Sequence, residues 1–336
     1  MEDFAYNIVY AVNNDFCEVM GVSIASLLEN NSEILKNLRI TILSSNIIDE
    51  NKKKIEQIFI KFGAATPRWV DATDTETRLR YRVTLDRGSI SQYSRLFIDG
   101  IFDNSVSRVL YLDADTVIEN SIKELWDLDL EGNTIGALKD AFSKYYRKNV
   151  GLEENDIMFN SGVMLIDVQK WRERNVEKRL LDFIANHRGY IQQGDQGVLN
   201  GVLSKETYPL KPRYNLISAF SMFSYKQMIL YRKPVACYSE NEVTAAVKDP
   251  VIIHYTSNFF SDRPWYEGCN TKYAKKWVEY RNLTPWQNNK LRPPNKSLLS
   301  RIYNVLPGTV GLRCASIFQA YLRPLKNRFI ILIRGF

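Results

Sequence analysis

The sequence predicts an α/β fold in which a mostly parallel sheet is covered by helices on both faces. Three observations support this. Over the first 140 residues, short apolar runs of strand length alternate with longer stretches of helical spacing. The chain has 336 residues, 45% of them hydrophobic, enough for a sizeable core. No repeat, low-complexity tract or long Gly/Ser linker interrupts that pattern. Strands alternating with helices imply parallel pairing, because each return crossover needs a helix.

The elements follow in order. Residues 7–12 (NIVYAV) form a strand-length apolar run, and 19–29 (VMGVSIASLLE) read as a helix. Residues 38–43 (LRITIL) alternate as a strand. Residues 49–62 are helical, with Ile55, Ile58, Phe59 and Phe62 on one face, and Trp69 and Val70 mark a third strand. A helix is expected over 91–102 and a buried strand over 109–112. Further strands are expected at 134–138, 162–167 and 251–254. A long helix should run from 169 to 187, and another from 195 to 203.

Charge divides the chain unevenly. From Gln287 to the C-terminus there are nine Lys/Arg and no Asp or Glu, while residues 1–286 hold 36 basic and 38 acidic side chains. Together with the prolines at 285, 293 and 294, this places a catalytic body at 1–286 and a basic tail at 287–336. Positive charge confined to a tail argues against a nucleic-acid-covering protein and for contact with an anionic membrane surface. Leu298, Leu299, Ile302 and Leu306 are expected to line one helical face, broken by Pro307 and Gly308. Leu312, Ile317, Phe318, Tyr321 and Leu322 would line a second, and 329–333 a third apolar patch. The alternative is that the tail packs back on the body. Cys17, Cys237, Cys269 and Cys314 form no C-x-x-C pair, which points to a reducing compartment rather than a zinc ribbon or disulfide framework. The expected location is cytoplasmic, peripheral on the inner face of the cell membrane.

The most informative segment is 108–118, RVLYLDADTVI. An apolar strand ends in two carboxylates, Asp113 and Asp115, where ligand sites of open α/β sheets lie. Two carboxylates so close repel unless a cation joins them, and Mn²⁺ or Mg²⁺ bound to a nucleotide diphosphate fits that need. The same DADTV also matches the nucleophile motif of haloacid-dehalogenase-type phosphatases. That motif belongs on the first strand of its domain, and here about 100 residues of strand–helix pattern precede it. A non-catalytic glycan-binding or scaffold protein on the same fold is a third reading; loss of the Asp-x-Asp pair or of His254 would favour it, and both are present.

His254 closes an apolar strand in 251–265 (VIIHYTSNFFSDRPW) and is a candidate third ligand, with Arg263 beyond it. His187, the other histidine, ends a charged helix and is expected to be solvated. Asn160, Ser161 and Gly162 open the strand in 159–171 (FNSGVMLIDVQKW), and Asn160 can hydrogen-bond sugar hydroxyls. Asp195 and Gln196 open a helix in QQGDQGVL, with N-capping as the competing role of Asp195. Arg95 lies in SQYSRL, where the plain alternative is an exposed helix arginine.

NIVYAVNND, SQYSRL, YLDADTVI, FNSGVMLIDVQKW, GDQGVLNG and IIHYTS…RPW occur in the order found in glycosyltransferase family 8, which the chain resembles over about residues 7–280. The resemblance implies a GT-A fold, retention of anomeric configuration and a UDP-hexose donor. It implies a divalent ion, usually Mn²⁺, held by Asp113, Asp115 and His254. It places uracil and ribose near Ala11, Asn13 and Asp15, with Ala114 and Ser161 also on the donor. It places Arg95, Asn160, Asp195 and Gln196 around the donor sugar and reaction centre, and Arg263 on the diphosphate. Galactose or glucose is the expected hexose, and the acceptor is a glycan of bacterial cell-surface polysaccharide synthesis, lipid-linked in one version. The family often has Asp where Asn13 stands, and a Lys at a shorter spacing where Arg263 stands.

Overall fold

The computed structural model describes residues 5–85, 89–257, 260–294 and 308–333. Seven strands form the main sheet: β1 (Tyr6–Asn13), β2 (Leu38–Ser45), β3 (Arg68–Asp71), β4 (Arg108–Leu112), β6 (Ile135–Lys139), β7 (Phe159–Asp167) and β8 (Thr207–Pro209). Their order is β3-β2-β1-β4-β7-β6-β8. The β3-β2-β1-β4 half is parallel, while β7 runs antiparallel to both β4 and β6. A second sheet of order β5-β10-β9 joins β5 (Thr116–Ile118), β10 (Ile252–His254) and β9 (Leu216–Ile217). The mixed, mainly parallel sheet with flanking helices is the α/β arrangement read from the sequence; β5, β8 and β9 are too short to announce themselves there.

Alternation along β1 divides the core. Ile8, Tyr10 and Val12 join the apolar layer on one face, and Val9 joins the layer on the other. Helix α1 (Cys17–Glu29) is apolar nearly all round and buried from Val19 to Leu28, because it lies between the two sheets. A buried polar chain fixes it there. Tyr10 Oη lies 3.0 Å from Ser23 Oγ, which lies 2.8 Å from Thr116 Oγ1. Ser26 Oγ accepts from Ile118 N at 2.9 Å. Helix α2 (Asp49–Phe62) buries Ile55, Ile58 and Phe59 and ends at Gly63, whose φ of 65° closes the helix.

Two helices differ from expectation. The segment over 91–102 is a 3-10 helix limited to Ile90–Phe97. The run over 169–187 is two helices, α3 (Val168–Glu173) and α4 (Val176–Asn186). Asn175 takes φ 50° between them, a conformation Asn tolerates. The flanking Arg174 and Arg179 both bind Glu206, at 3.0 and 2.7 Å, which holds the bend. Helices α5 (Gly194–Leu203), α6 (Tyr225–Arg232) and α7 (Ala274–Arg281) are among the remaining helices of the body.

The tail is not free of that body. Arg292 stacks over Phe16, and its backbone N–H donates to Trp265 O at 2.9 Å. Helices α8 (Gly308–Ile317) and α9 (Arg323–Ile333) continue through a π-helical turn, Phe318–Leu322. Leu312 and Ala315 pack with Tyr231 of α6, and Ser316 Oγ donates to Leu230 O at 2.6 Å. The second expected apolar face is therefore split: Leu312 faces the body, while Ile317 and Leu322 face outward. Leu298, Leu299, Ile302, Leu306 and Pro307 lie outside the described residues. Among the described residues, no helix is long and apolar enough to cross a membrane.

Candidate active site

The site forms where strand ends meet. Antiparallel β7 begins beside the carboxyl end of β4, and Asp113 N donates to Gly162 O at 2.7 Å. Strand β10 pairs His254 with Thr116, so the histidine returns to the carboxylates from 140 residues away. Tyr255 N donates to Asp115 O at 2.9 Å and fixes that approach. A cleft of about 340 Å³ opens above these ends.

Asp113, Asp115 and His254 each bring one ligand atom to within 4.8 Å of the others. His254 Nε2 lies 3.1 Å from Asp115 Oδ1 and 3.8 Å from Asp113 Oδ2. Its other nitrogen, Nδ1, is 2.9 Å from Asn215 Oδ1. Asn215 Nδ2 donates to Asn160 Oδ1 at 3.0 Å, which orients the amide with its oxygen toward the imidazole. Nδ1 therefore carries a proton, and Nε2 is the ring atom that faces the two carboxylates. Two carboxylates so close repel one another, and a hard divalent cation, with Nε2 as a further ligand, turns that repulsion into binding. The residues present fit such an ion.

Arg95 is 5% exposed, not a surface arginine. It lies 3.1 Å from Asp113 Oδ1 and 2.5 Å from Asp195 Oδ2, and donates to Ser161 O at 2.8 Å. Its guanidinium also lies over the Tyr111 ring at 4.6 Å. These partners hold it charged against the cost of burial. Asp195 makes no N-cap; Gln193 occupies that position. Burial pushes the Asp195 carboxyl up to about 6, against the opposing pull of Arg95.

Asn160 Nδ2 donates to Asp140 Oδ2 at 3.2 Å, and Gln196 Oε1 accepts from Ser161 N at 3.2 Å. Asn13 Nδ2 donates to Ser89 Oγ at 3.3 Å at the β1 end. Ala11, Asn13, Asp15, Arg95, Asp113, Ala114, Asp115, Asn160, Ser161, Asp195, Gln196 and His254 all line the cleft. Arg263 stands just outside the lining. Its Nη1 lies 3.3 Å from Asp115 Oδ2, and its guanidinium stacks on Trp265 at 4.5 Å. His187 stacks on Phe183 with 4.0 Å between ring centroids, away from the site.

The chain matches the family model described as "Glycosyl transferase family 8" over residues 7–269. It belongs to glycosyl transferase family 8. General stress protein A of Bacillus subtilis (strain 168) is 26% identical over 290 residues, covering 85% of this chain and 96% of that protein. Lipopolysaccharide 1,3-galactosyltransferase of Salmonella typhimurium is 26% identical, covering 86% of this chain and 81% of that one. The solved structure of galactosyltransferase LgtC with donor and acceptor sugar analogs matches with a TM-score of 0.68 at 22% identity. It covers 83% of this chain and 96% of that chain, a likeness of fold. The family 8 chain is thus a glycosyltransferase of GT-A fold, with a nucleotide-sugar donor and a glycan acceptor.

Sequence reasoning missed part of this site. Asp140 ends β6 as Asp113 ends β4, so the strand-end carboxylate rule applied to LKD would have found it. Asn215 carries no local signal; it matters because β9 lies beside β10. Asn200 binds both the N–H and the carbonyl of Phe159, at 2.7 and 2.9 Å, and so locks α5 to β7.

Proposed function

We propose that this family 8 enzyme transfers a galactosyl or glucosyl group from a UDP-sugar to a glycan acceptor with retention, in bacterial cell-surface polysaccharide synthesis. Mn²⁺ is the proposed ion, with Mg²⁺ as a substitute. The observation that carries the reading is His254 Nε2 directed at Asp113 and Asp115, with Asn215 orienting the ring through Nδ1. When bound there, the ion neutralises charge building on the diphosphate as the sugar leaves.

The chain's own residues do the rest. Ala11, Asn13 and Asp15 receive the nucleoside at the end of β1, and Ala114 and Ser161 flank the donor. Arg263, beside Asp115, adds a second positive charge toward the diphosphate. Arg95 holds Asp113 and Asp195 in fixed positions. Asn160 binds donor hydroxyls. Asp195 and Gln196 flank the anomeric carbon, where an oxocarbenium-like transition state develops. The strongly basic segment 287–336 and the outward Leu322, Leu325, Phe329, Leu332 and Ile333 support attachment at the inner face of the cell membrane, near a lipid-linked acceptor.

Hydrolysis of a panel of UDP-sugars by the purified chain tests the donor. UDP-galactose or UDP-glucose should be cleaved with Mn²⁺ and not with EDTA. Activity undiminished in EDTA would remove the ion from the reading. NMR of the transferred product should show the donor's anomeric configuration kept; an inverted product would contradict retention.

A further inference from the structure

Asn13, Asp15 and Ser89 line the cleft at the β1 terminus, where the nucleoside is proposed to sit. Phe223 just before α6, Tyr231 and Arg232 of α6, and Gln319 and Arg323 of the C-terminal helices line it as well. A side-chain path runs from the proposed ion site to Arg232. His254 contacts Asn215, Asn215 contacts Asn160, and Asn160 contacts Asp140. Asp140 Oδ1 then lies 3.3 Å from Arg232 Nη2. A donor with its diphosphate at Asp113 and Asp115 and its nucleoside at Asn13 presents its anomeric carbon away from the nucleoside. The wall it faces includes Gln319 and Arg323.

Those two residues lie outside the family-matched region, 7–269. Gln319 lies in the π-helical turn Phe318–Leu322 and Arg323 follows it directly, and such turns occur frequently at functional sites. The body grips this turn through its carbonyls. Tyr146 Oη donates to Gln319 O at 2.9 Å, and Ser143 Oγ donates to Ala320 O at 2.7 Å. Asn149 Nδ2 donates to Pro324 O at 2.8 Å at the start of α9. Gln319 is thereby held 3% exposed at the cleft, yet its side-chain Oε1 is buried with no hydrogen-bond partner among the described residues. A buried acceptor left unpaired is costly, and a ligand hydroxyl supplies the missing donor.

We propose that Gln319 and Arg323 are acceptor-recognition residues: Gln319 accepts from, and Arg323 donates to, hydroxyl groups of the glycan that receives the hexose. This rests on the glycosyltransferase reading of the cleft. It makes the C-terminal helix a wall of the active site and gives this chain its own acceptor selectivity.

The test uses the full chain and the UDP-hexose it hydrolyses fastest. Transfer of labelled hexose onto a printed glycan array supplies the acceptor probe. Gln319→Leu and Arg323→Met should each raise the acceptor KM about tenfold, the scale of one lost ligand hydrogen bond. The donor KM should shift less than about twofold on the same scale, and Arg323→Lys should lose less than Arg323→Met. An unchanged acceptor KM overturns the inference. So do equal rises in both KM values with a lowered melting temperature, which a merely structural helix would give. Hydrolysis without transfer to any arrayed glycan also overturns it. Failure of the wild-type chain to hydrolyse any UDP-sugar is a separate result, and it removes the donor reading beneath the inference.

Discussion

At the residue scale, the site depends on charges that need one another. Asp113→Ala and Asp115→Ala should each abolish transfer while the fold persists, because each removes a carboxylate from the proposed ion site. His254→Ala should weaken activity less completely, since water can replace one ligand. Asn215→Leu touches no donor, yet it frees the His254 ring and should cost about 10–100-fold in ion affinity or activity. Titration with Mn²⁺ checks all four. Asp195 sets a pH limit. Its carboxyl is raised to about 6 by burial and by nearby Asp113, while Arg95 pulls it down. Below about 6 it becomes neutral and the Arg95 pair loses its charge. The kcat/KM profile should therefore fall on the acid side near pH 6, and Asp195→Asn should lose that limb. The stability effect has the opposite sign. The folded carboxyl holds its proton to higher pH than an unfolded one, so its contribution is full below the ordinary value of 3.8 and declines as pH rises toward 6.

At the element scale, antiparallel β7 allows the closest approach in the site. A Cβ on Gly162 would lie 2.2 Å from His254 Cε1 and 2.8 Å from Asp113 Oδ2. Gly162→Ala should therefore displace two of the three ligand side chains. Overpacking of this kind costs about 1–3 kcal/mol, so the melting temperature should fall modestly while Mn²⁺-dependent hydrolysis is lost. Calorimetry beside the hydrolysis assay separates the two effects. A glycine in FNSG leaves room for a close approach, but the local sequence does not say which atoms fill it. The expected helix over 169–187 failed at Asn175 because Glu206, more than thirty residues later, holds two arginines across the bend. Local propensity carries no trace of such a partner.

At the scale of the whole molecule, the C-terminal helices present two faces. The inner face reaches the cleft with Gln319 and Arg323. The outer face carries Phe329, Leu332 and Ile333 at 64%, 60% and 67% exposure, flanked by exposed Lys326 and Arg328. Full-length protein should sediment with anionic vesicles at low salt. Each Lys or Arg at the surface contributes about 1 kcal/mol, and the apolar stripe adds burial. Replacing Phe329, Leu332 and Ile333 together by Ser should release it without disturbing the inner face, which the melting temperature verifies. Truncation after Trp286 is a poorer probe, because it also removes part of the cleft wall. Vesicles left unbound by the full-length chain would confine this segment to its role in packing.

The sequence by itself determined the parallel half of the sheet and the strand-end carboxylates, and it singled out Asp113, Asp115 and His254, which the fold brings together. Periodicity records which face of an element meets the core, and a strand that stops at Asp-Ala-Asp shows where polar chemistry begins. Tertiary structure decided how those residues are held. Asn215 orients the His254 ring beside the β9–β10 pairing, Asp140 joins Asn160 to Arg232, and the C-terminal helices line the cleft with Gln319 and Arg323, far along the chain from Asp113. Each is a contact between segments distant in the chain. Such contacts depend on which elements pack side by side, and no local pattern encodes that choice.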